Sequence, residues 1–383
     1  MFNPAKTRVI ETLLALTADR FEHQVYSINR HFHLREISRE VSRGHLPKPE
    51  LRRERDGFTA VAYPAPPAGV MHRAMLKRLT DTISDDLSRS ASRPALVVGH
   101  KLTIEGIVAA RLASRLGLPY ALSIQGNTDA KILAARPDLR PLFARIFHGA
   151  TMVFPFAPWA LRAVEARLGA RTGPTRLLPC PTDADSILPP QISAPTVVSA
   201  FHLRNYRLKN ASRLIAAAKT VGAEFPGFAL EIIGDGAPKD VAAIQGLAQG
   251  TPVTLAGGVG HAAIQVRYNR AAGFALPSLR ESFGLVFVEA LLAGCPIVYP
   301  RGAAIDGYFD DQPFAIPVDA RDVGAIGDGM LRLVRDQAAL KASLAQWQAS
   351  GGPARFRREA IARQFGDGLA AAAAADVNAS TIR

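Results

Sequence analysis

Cysteine is scarce in this sequence: Cys180 and Cys295 are the only two among 383 residues. Two thiols cannot build a disulfide framework or a structural zinc site, and their scarcity fits a reducing compartment. Uninterrupted apolar runs of about 18 residues are also lacking, so no transmembrane helix is expected. The opening MFNPAKTRVIETLL does not have the charged-then-apolar order of a signal peptide. Acidic residues are the minority, 33 against 46 Lys and Arg, for a net charge of +13 and a pI of about 10.2. Such a chain invites an acidic partner. Yet zinc-finger spacing, an aromatic RNA-binding motif, a Lys-rich tail and a Gly-Lys-Ser/Thr phosphate loop are all missing, which argues against nucleic acid. What remains is an ordinary globular balance, 48% hydrophobic and 21% charged. That excludes a disordered or collagen-like chain. At about 150 residues per domain the length gives a prior of two to three domains.

The positive surplus is uneven. Residues 1–190 hold 27 Lys and Arg against 17 Asp and Glu; residues 191–383 hold 19 against 16. Along the chain, short apolar runs alternate with segments of helical periodicity. Helices are expected at 4–18, with Asn3 as cap and Pro4 in the first turn, and at 69–88, with Met71, Met75, Leu79, Ile83 and Leu87 near helical spacing. HQVYSI, TAVAYP, PALVVGH, PYALSIQG, ATMVFPF and TRLLPC read as strands, with a helix at IVAARLASRLG. SILPPQISAPT, 186–196, carries three prolines and is the linker candidate. The same grammar then restarts: TVVSAF, FALEIIG, PVTLAG, GFALPS, PIVYP and FAIPV as strands, with helices at 210–222, 238–248, 261–271, 284–294 and 322–336. This alternation predicts an α/β protein of two Rossmann-like domains facing a cleft, with ligands at the strand carboxyl ends. The expected division is 1–189, 190–366, and a tail at 367–383 that packs back on the first domain.

The richest segment is PSLRESFGLVFVEALLAGCPIV, 277–298. Seven residues separate Glu281 from Glu289. Glu281 lies in a loop after a strand; Ser282, Phe283 and Gly284 lead into an apolar helix that contains Glu289. A helix N-terminus after a Gly-containing loop suits a diphosphate. A loop carboxylate can accept hydrogen bonds from sugar hydroxyls, and one two turns along the helix can reach a ribose diol. By spacing alone, two glutamates in unrelated roles are the simpler explanation of the segment.

With its Pro-Ser, its Glu–seven–Glu pair and its Ala-x-Gly-x-Pro-Ile, this segment resembles the signature of glycosyltransferase family 4, retaining enzymes of the two-Rossmann GT-B fold. The resemblance runs from about 195 to 366. AFHLRNYRLKNASRLIAAAK, 200–219, carries Arg204 and Lys209 where the family places an Arg and a Lys to neutralise the donor diphosphate; Arg207 in the same loop is a second candidate for the Arg. EIIGDGAP resembles the family's strand-plus-Gly-x-Gly turn, here Gly234 and Gly236, and TLAGGV, with Gly258 and Val259, the segment that runs past the base. In the first half, VVGHKLTIEGIVAARLASRLGLPYALSIQG places His100 at the position of the histidine that faces the donor sugar, while Gln125-Gly126 stand where the family usually has a cation before Gly on the acceptor side. TRLLPCPTDAD keeps the family's Asp as Asp183 but has Cys180 and Pro181 for Asn-Gly. Asp183-Ala-Asp185 reads as a metal motif, but the resemblance implies no metal and no cofactor. The family's opening strand and Gly-rich loop have no candidate here, which leads to the expectation of a truncated start.

The resemblance implies a retaining transfer of sugar from a UDP-, GDP- or ADP-sugar to a glycan or lipid-linked acceptor, in cell-surface polysaccharide or glycolipid synthesis. Arg204 and Lys209 would stabilise the leaving diphosphate, Glu281 bind the donor sugar, Glu289 the ribose, and His100 line the sugar pocket. A non-catalytic binding or scaffold protein of the same fold is the alternative. In HFHLREISREVSRGHLPKPELRRERD, 31–56, Arg35, Arg39 and Arg43 recur at helical spacing beside Leu34, Ile37 and Val41. This is either a basic amphipathic helix for an anionic membrane surface or, given Glu36 and Glu40, a solvated salt-bridged helix. A cytoplasmic protein, peripheral on the inner membrane face, is the expected setting.

Overall fold

Short runs of Val, Ile, Leu and Ala bounded by polar loops form parallel strands buried on both faces, as such runs do when helices cover a sheet. The computed structural model describes residues 9–31, 38, 40, 42–43, 48–54, 58–64, 72–90 and 92–375. The elements run α1 (Val9–Ala15), β1 (Tyr26–His31), β2 (Glu50–Arg53), β3 (Thr59–Pro64), α2 (His72–Leu87), β4 (Val97–Gly99), α3 (Glu105–Leu116), β5 (Tyr120–Ile124), α4 (Asn127–Ala135), α5 (Arg140–Gly149), β6 (Met152–Pro155) and α6 (Pro158–Leu168). After a long coil follow β7 (Thr196–Ala200), α7 (Ala211–Glu224), β8 (Ala229–Ile233), α8 (Pro238–Ala248), β9 (Val253–Gly257), α9 (His261–Asn269), β10 (Gly273–Ala275), α10 (Leu285–Leu292), β11 (Ile297–Pro300), β12 (Ala315–Val318), α11 (Val323–Arg335), α12 (Gln337–Ala349) and α13 (Arg358–Ala373). None of the described helices is long and apolar enough to cross a membrane.

The chain divides into two compact units. Unit 1 comprises 1–156, 161–178 and 361–383; unit 2 comprises 157–160 and 179–360. Among the described residues the strands of unit 1 form two three-stranded sheets, β1-β3-β2 and β4-β5-β6. Both are parallel except for the β2–β3 pair. The core of the second sheet is Leu122, Ile124, Val153 and Phe154, fully buried against Ile107, Ala110 and Phe143. The last helix belongs here: Phe365 packs edge-on to Phe154 at 5.3 Å and Gln364 donates to Leu177 O.

Unit 2 is one six-stranded, wholly parallel sheet, β12-β11-β10-β7-β8-β9. Its rim carries a cluster of Tyr308, Phe309, Phe314, Trp347 and Phe356, with the Arg355 guanidinium 5.0 Å from the Phe356 ring centre. The proline-rich stretch 186–196 lies within this unit and is pinned along it. Leu188 N–H donates to Leu292 O, and the buried Lys341 donates to Ala271 O at 2.7 Å, to Ser193 Oγ and to Gln191 O.

One expectation needs correction. TRLLPC does not become a strand. It runs beside β6, with Arg176 N–H donating to Val153 O and Leu178 N–H to Pro155 O, but the ladder is a single bridge, Val153–Thr175. Pro179 and Pro181 have no N–H to extend it. Within the basic stretch 31–56, the described Ser38, Glu40 and Ser42 are helical and Glu50–Arg53 is β2. Arg35 and Arg39, like Asn3 and Pro4, lie outside the described residues; Arg43 sits in a turn, 3.7 Å from Glu40.

Candidate functional site

In unit 2 the sheet grows from β7 through β8 to β9 on one side, and from β10 through β11 to β12 on the other. The chain therefore reverses direction between β7 and β10, and loops leaving those two carboxyl ends part to form a crevice. The loop after β7 carries Arg204 and Lys209; the loop after β10 carries Glu281. The structure brings Lys209 and Glu281 together: Lys209 Nζ donates to Glu281 Oε2 at 2.5 Å, both side chains half-buried. The loops are laced by Leu279 N–H to Leu208 O at 2.9 Å, and by Asn210, whose side-chain amide donates to Pro277 O at 3.0 Å and to Ala320 O at 2.6 Å. Ala304 N–H, after β11, donates to Glu281 O.

Arg204 and Arg207 part company. The Arg207 guanidinium lies over the Tyr206 ring and donates to Tyr206 Oη at 3.1 Å. Arg204 is exposed, and no described side chain pairs with its guanidinium. Of the two, Arg204 is the cation left available beside Lys209.

Ser282, Phe283 and Gly284 form the turn into α10. Phe283 is buried edge-on against Tyr308 at 5.9 Å. Gly284 has φ +74, and a Cβ there would come within 2.7 Å of the Phe287 ring. Only glycine fits both demands. The turn aims the unsatisfied N–H groups of α10 toward the loop of Glu281, a setting suited to an anion. Glu289, in the second turn of α10, is 8% exposed and accepts from Thr182 Oγ1 at 2.6 Å. Thr182 Oγ1 in turn accepts from Ala184 N–H. Gly234, after β8, approaches the end of β7 so closely that a Cβ would fall 1.9 Å from Phe201 O. Gly236 packs on Leu203 and Gly258 on the Asp235 carboxylate, so these turns stand at the same carboxyl edge, with Val259 partly exposed beside them.

Nearby, burial pushes the Cys180 thiol well above its ordinary range, and the Glu281 charge adds to this; burial takes Cys295 up to about 12. Neither is a nucleophile at neutral pH. Asp183 and Asp185 are held by Arg358 at 2.5 Å and Arg357 at 3.5 Å, so each carboxylate of this pair faces a cation. Among the described residues no group of three His, Cys, Asp or Glu could hold a metal.

In unit 1, His100 and Gln125-Gly126 follow adjacent parallel strands β4 and β5, at their carboxyl ends. His100 Nδ1 bonds Ser123 Oγ at 3.1 Å, and burial pushes the imidazole down to about 4 against the opposing pull of Glu105. It is neutral at pH 7. Gly126, at φ +99, opens α4, and Asp129 in that first turn accepts from both the N–H and the hydroxyl of Thr103, at 3.0 and 2.9 Å. Asp129 thereby holds the loop that carries His100.

Residues 194–336 match a family model described as glycosyl transferases group 1. No curated protein matches the chain. Solved structures do. Sucrose-phosphate synthase from Thermosynechococcus elongatus is 20% identical, with a TM-score of 0.64, over 93% of this chain and 90% of that one. Anabaena HepE in complex with UDP and glucose is 15% identical, TM-score 0.61, over 97% of each chain. A UDP-forming α,α-trehalose-phosphate synthase from Burkholderia xenovorans in complex with glucose-6-phosphate is 13% identical, TM-score 0.61, over 96% of each. The fold is that of the GT-B glycosyltransferases, with two Rossmann-like domains.

Proposed function

We propose that this protein is a retaining glycosyltransferase that moves a sugar from a nucleotide-diphospho-sugar to a glycan or lipid-linked acceptor. The observation that carries this reading is the Lys209–Glu281 pair at the β7/β10 crevice, beside the N-terminus of α10 and the unpaired Arg204. Two cations and an open helix end fit a diphosphate leaving group; a half-buried carboxylate next to them fits the hydroxyls of the sugar attached to it. In this reading the bond between the sugar's anomeric carbon and the diphosphate oxygen breaks. Lys209 and Arg204 stabilise the charge that collects on that oxygen. The acceptor hydroxyl attacks from the same face and its proton passes to the departing phosphate. Glu281 orients the sugar. Glu289 receives the ribose, its carboxylate held by Thr182. No cofactor takes part.

The HepE complex holds UDP and glucose, and the trehalose-phosphate synthase complex holds glucose-6-phosphate; this chain's donor is proposed to be a UDP-, GDP- or ADP-sugar. The surplus of Lys and Arg in residues 1–190 favours an anionic acceptor, and with it peripheral association with the inner face of a membrane. A non-catalytic nucleotide-sugar-binding protein is the second reading, favoured by the division of unit 1's described strands into two sheets. A donor panel separates the two. Thermal shift across UDP-, GDP- and ADP-sugars identifies the ligand, and release of nucleotide from it reports turnover. Turnover that is lost in Glu281→Ala with the fold intact supports the enzyme; binding without turnover supports the second reading. Turnover that survives Glu281→Ala refutes the assignment of the site.

A further inference from the structure

The helical layer of unit 1 holds a second collection of cations, independent of the crevice in unit 2. On α2, Arg73, Lys77 and Asp81 recur every four residues and so share one face. That face meets Arg111 and Arg115 in the second half of α3, and Arg145 of α5. Together they line a concavity of about 240 Å3. Five of these side chains are cationic and one is acidic. The single carboxylate is engaged, because Asp81 accepts from Arg115. Arg111 donates to a backbone oxygen, Arg73 O, at 3.3 Å. Among the described residues no carboxylate lies within ion-pair distance of Arg73, Lys77, Arg111 or Arg145.

This arrangement is unfavourable unless something offsets it. Like charges gathered in one concavity repel one another. Arg111, the half-buried cation of the group, is held below its ordinary range first by burial and then by the Arg73 charge, with Asp81 pulling the other way and Arg115 adding to the lowering. The position also matters. α3 begins beside His100 at the carboxyl end of β4 and runs back toward the amino end of β5, so its second half points away from the edge where Rossmann ligands bind.

We propose that this concavity binds a small, multiply charged phosphoryl anion, of the phosphomonoester or diphosphate class, at a site separate from the sugar-donor site. Guanidinium groups match phosphoryl oxygens two at a time, and Lys77 adds a point charge. The hydroxyl of Ser114, exposed on the same wall, adds a donor. The volume falls below that of cavities for drug-sized ligands, roughly 300 Å3 and above, and suits a compact anion. The concave form favours a dissolved ion over a flat lipid surface.

The test uses the full chain in a Lys209→Ala background, which removes the proposed diphosphate ligand of unit 2. Inorganic pyrophosphate is titrated calorimetrically at constant ionic strength, set with chloride. Saturable binding is expected, weakened about tenfold or more by Lys77→Gln with Arg145→Gln. Both residues are exposed, so the fold is expected to survive, as read by circular dichroism. Arg111→Ala is the second variant and should weaken binding at least as much. Absence of saturable binding, or binding unchanged in both variants, overturns the proposal. A parallel arm offers vesicles of phosphatidic acid or of phosphatidylcholine alone. Sedimentation with phosphatidic acid that depends on Lys77 and Arg145, without pyrophosphate binding, also overturns it and assigns the surface to a membrane.

Discussion

The two units are built from the same strand–helix grammar and end differently. Unit 2 closes into one six-stranded parallel sheet with a single reversal of direction, and its candidate groups converge there. Unit 1 carries its described strands in two separate sheets, and its candidate groups, His100 and Gln125-Gly126, share only an edge of β4 and β5. A charged pair needs two loops brought to one point, and a reversal in a continuous sheet supplies that point. An edge positions single residues. The comparison therefore predicts that charge stabilisation belongs to the β7/β10 crevice of unit 2, and that the β4/β5 edge of unit 1 contributes uncharged groups, His100 and Gln125.

The largest effects should fall on that contrast. Lys209→Ala is expected to lower the transfer rate by about 100-fold or more, as loss of a preorganised transition-state donor does. His100→Ala should cost about tenfold, the scale of one neutral hydrogen bond. Because the imidazole is pushed down to about 4, it stays uncharged from pH 6 to 8, and wild-type and His100→Ala rates should run parallel over that range. A rate limb near pH 6.5 that vanishes in His100→Ala would reverse the division of labour between the units.

The next effect concerns how unit 1 holds its loop. Asp129 is completely buried, and its second carboxylate oxygen has no hydrogen-bond partner among the described residues. Burial raises its pKa from 3.8 to about 6. The folded state thus holds this proton more tightly than the unfolded chain does. The stability that the protonated acid confers is present below about pH 4 and is lost as pH rises through about 6. Asp129→Asn carries no such charge. It is expected to be more stable than wild type above pH 6, by up to about 3 kcal/mol, and nearly equal to it at pH 4. Denaturant melts at pH 4, 5, 6 and 8 give the difference. In unit 2 the buried Glu289 has Thr182 as donor. Thr182→Val should cost about 1–3 kcal/mol, because it removes the Thr182 hydrogen bond to that carboxylate and takes the acceptor away from the Ala184 N–H. An equally large gain at pH 8 from Glu289→Gln would mean that the two buried acids are held alike, and that this contrast fails.

How much of this was legible follows the same divide. TVVSAF, GFALPS and PIVYP announce strands because a parallel sheet covered on both faces demands unbroken apolar runs. Glu281, Lys209 and Gly284 stand out through the resemblance to the family signature, because spacing and loop position alone would leave them in unrelated roles. Thr182 and Asn210 escaped notice: Thr182 meets Glu289 across 107 residues and Asn210 meets Pro277 across 67, and no local spacing marks such pairs. Asn210 was placed only as the first residue of the helix expected at 210–222; it sits there at φ +63 with its side chain turned to the other loop. TRLLPC misled because its apolar content suggests a strand while its flanking prolines remove the donors. Asp129 also escaped notice, because only the packing of Thr103 over it, 26 residues away, reveals its burial.

The smallest expected effect tests whether charge holds unit 1 together. Asp367 on α13 pairs with Arg20 at 2.9 Å, with side chains 54% and 39% exposed. Such exposed pairs contribute about 0.2–1 kcal/mol. Unit 1, however, carries most of the positive surplus, so removing an acid there also increases self-repulsion. Asp367→Ala is therefore expected to reach the upper part of that range at low salt. The effect should fade by 0.5 M salt, where screening shortens the reach of charge to a few ångströms. The apolar contact between Phe365 and Phe154 is untouched by salt and keeps the helix docked. Chemical melts of wild type and Asp367→Ala at 0.02 and 0.5 M KCl decide it. A loss above 2 kcal/mol that persists at high salt would show that the pair, rather than the aromatic packing, anchors α13 to unit 1.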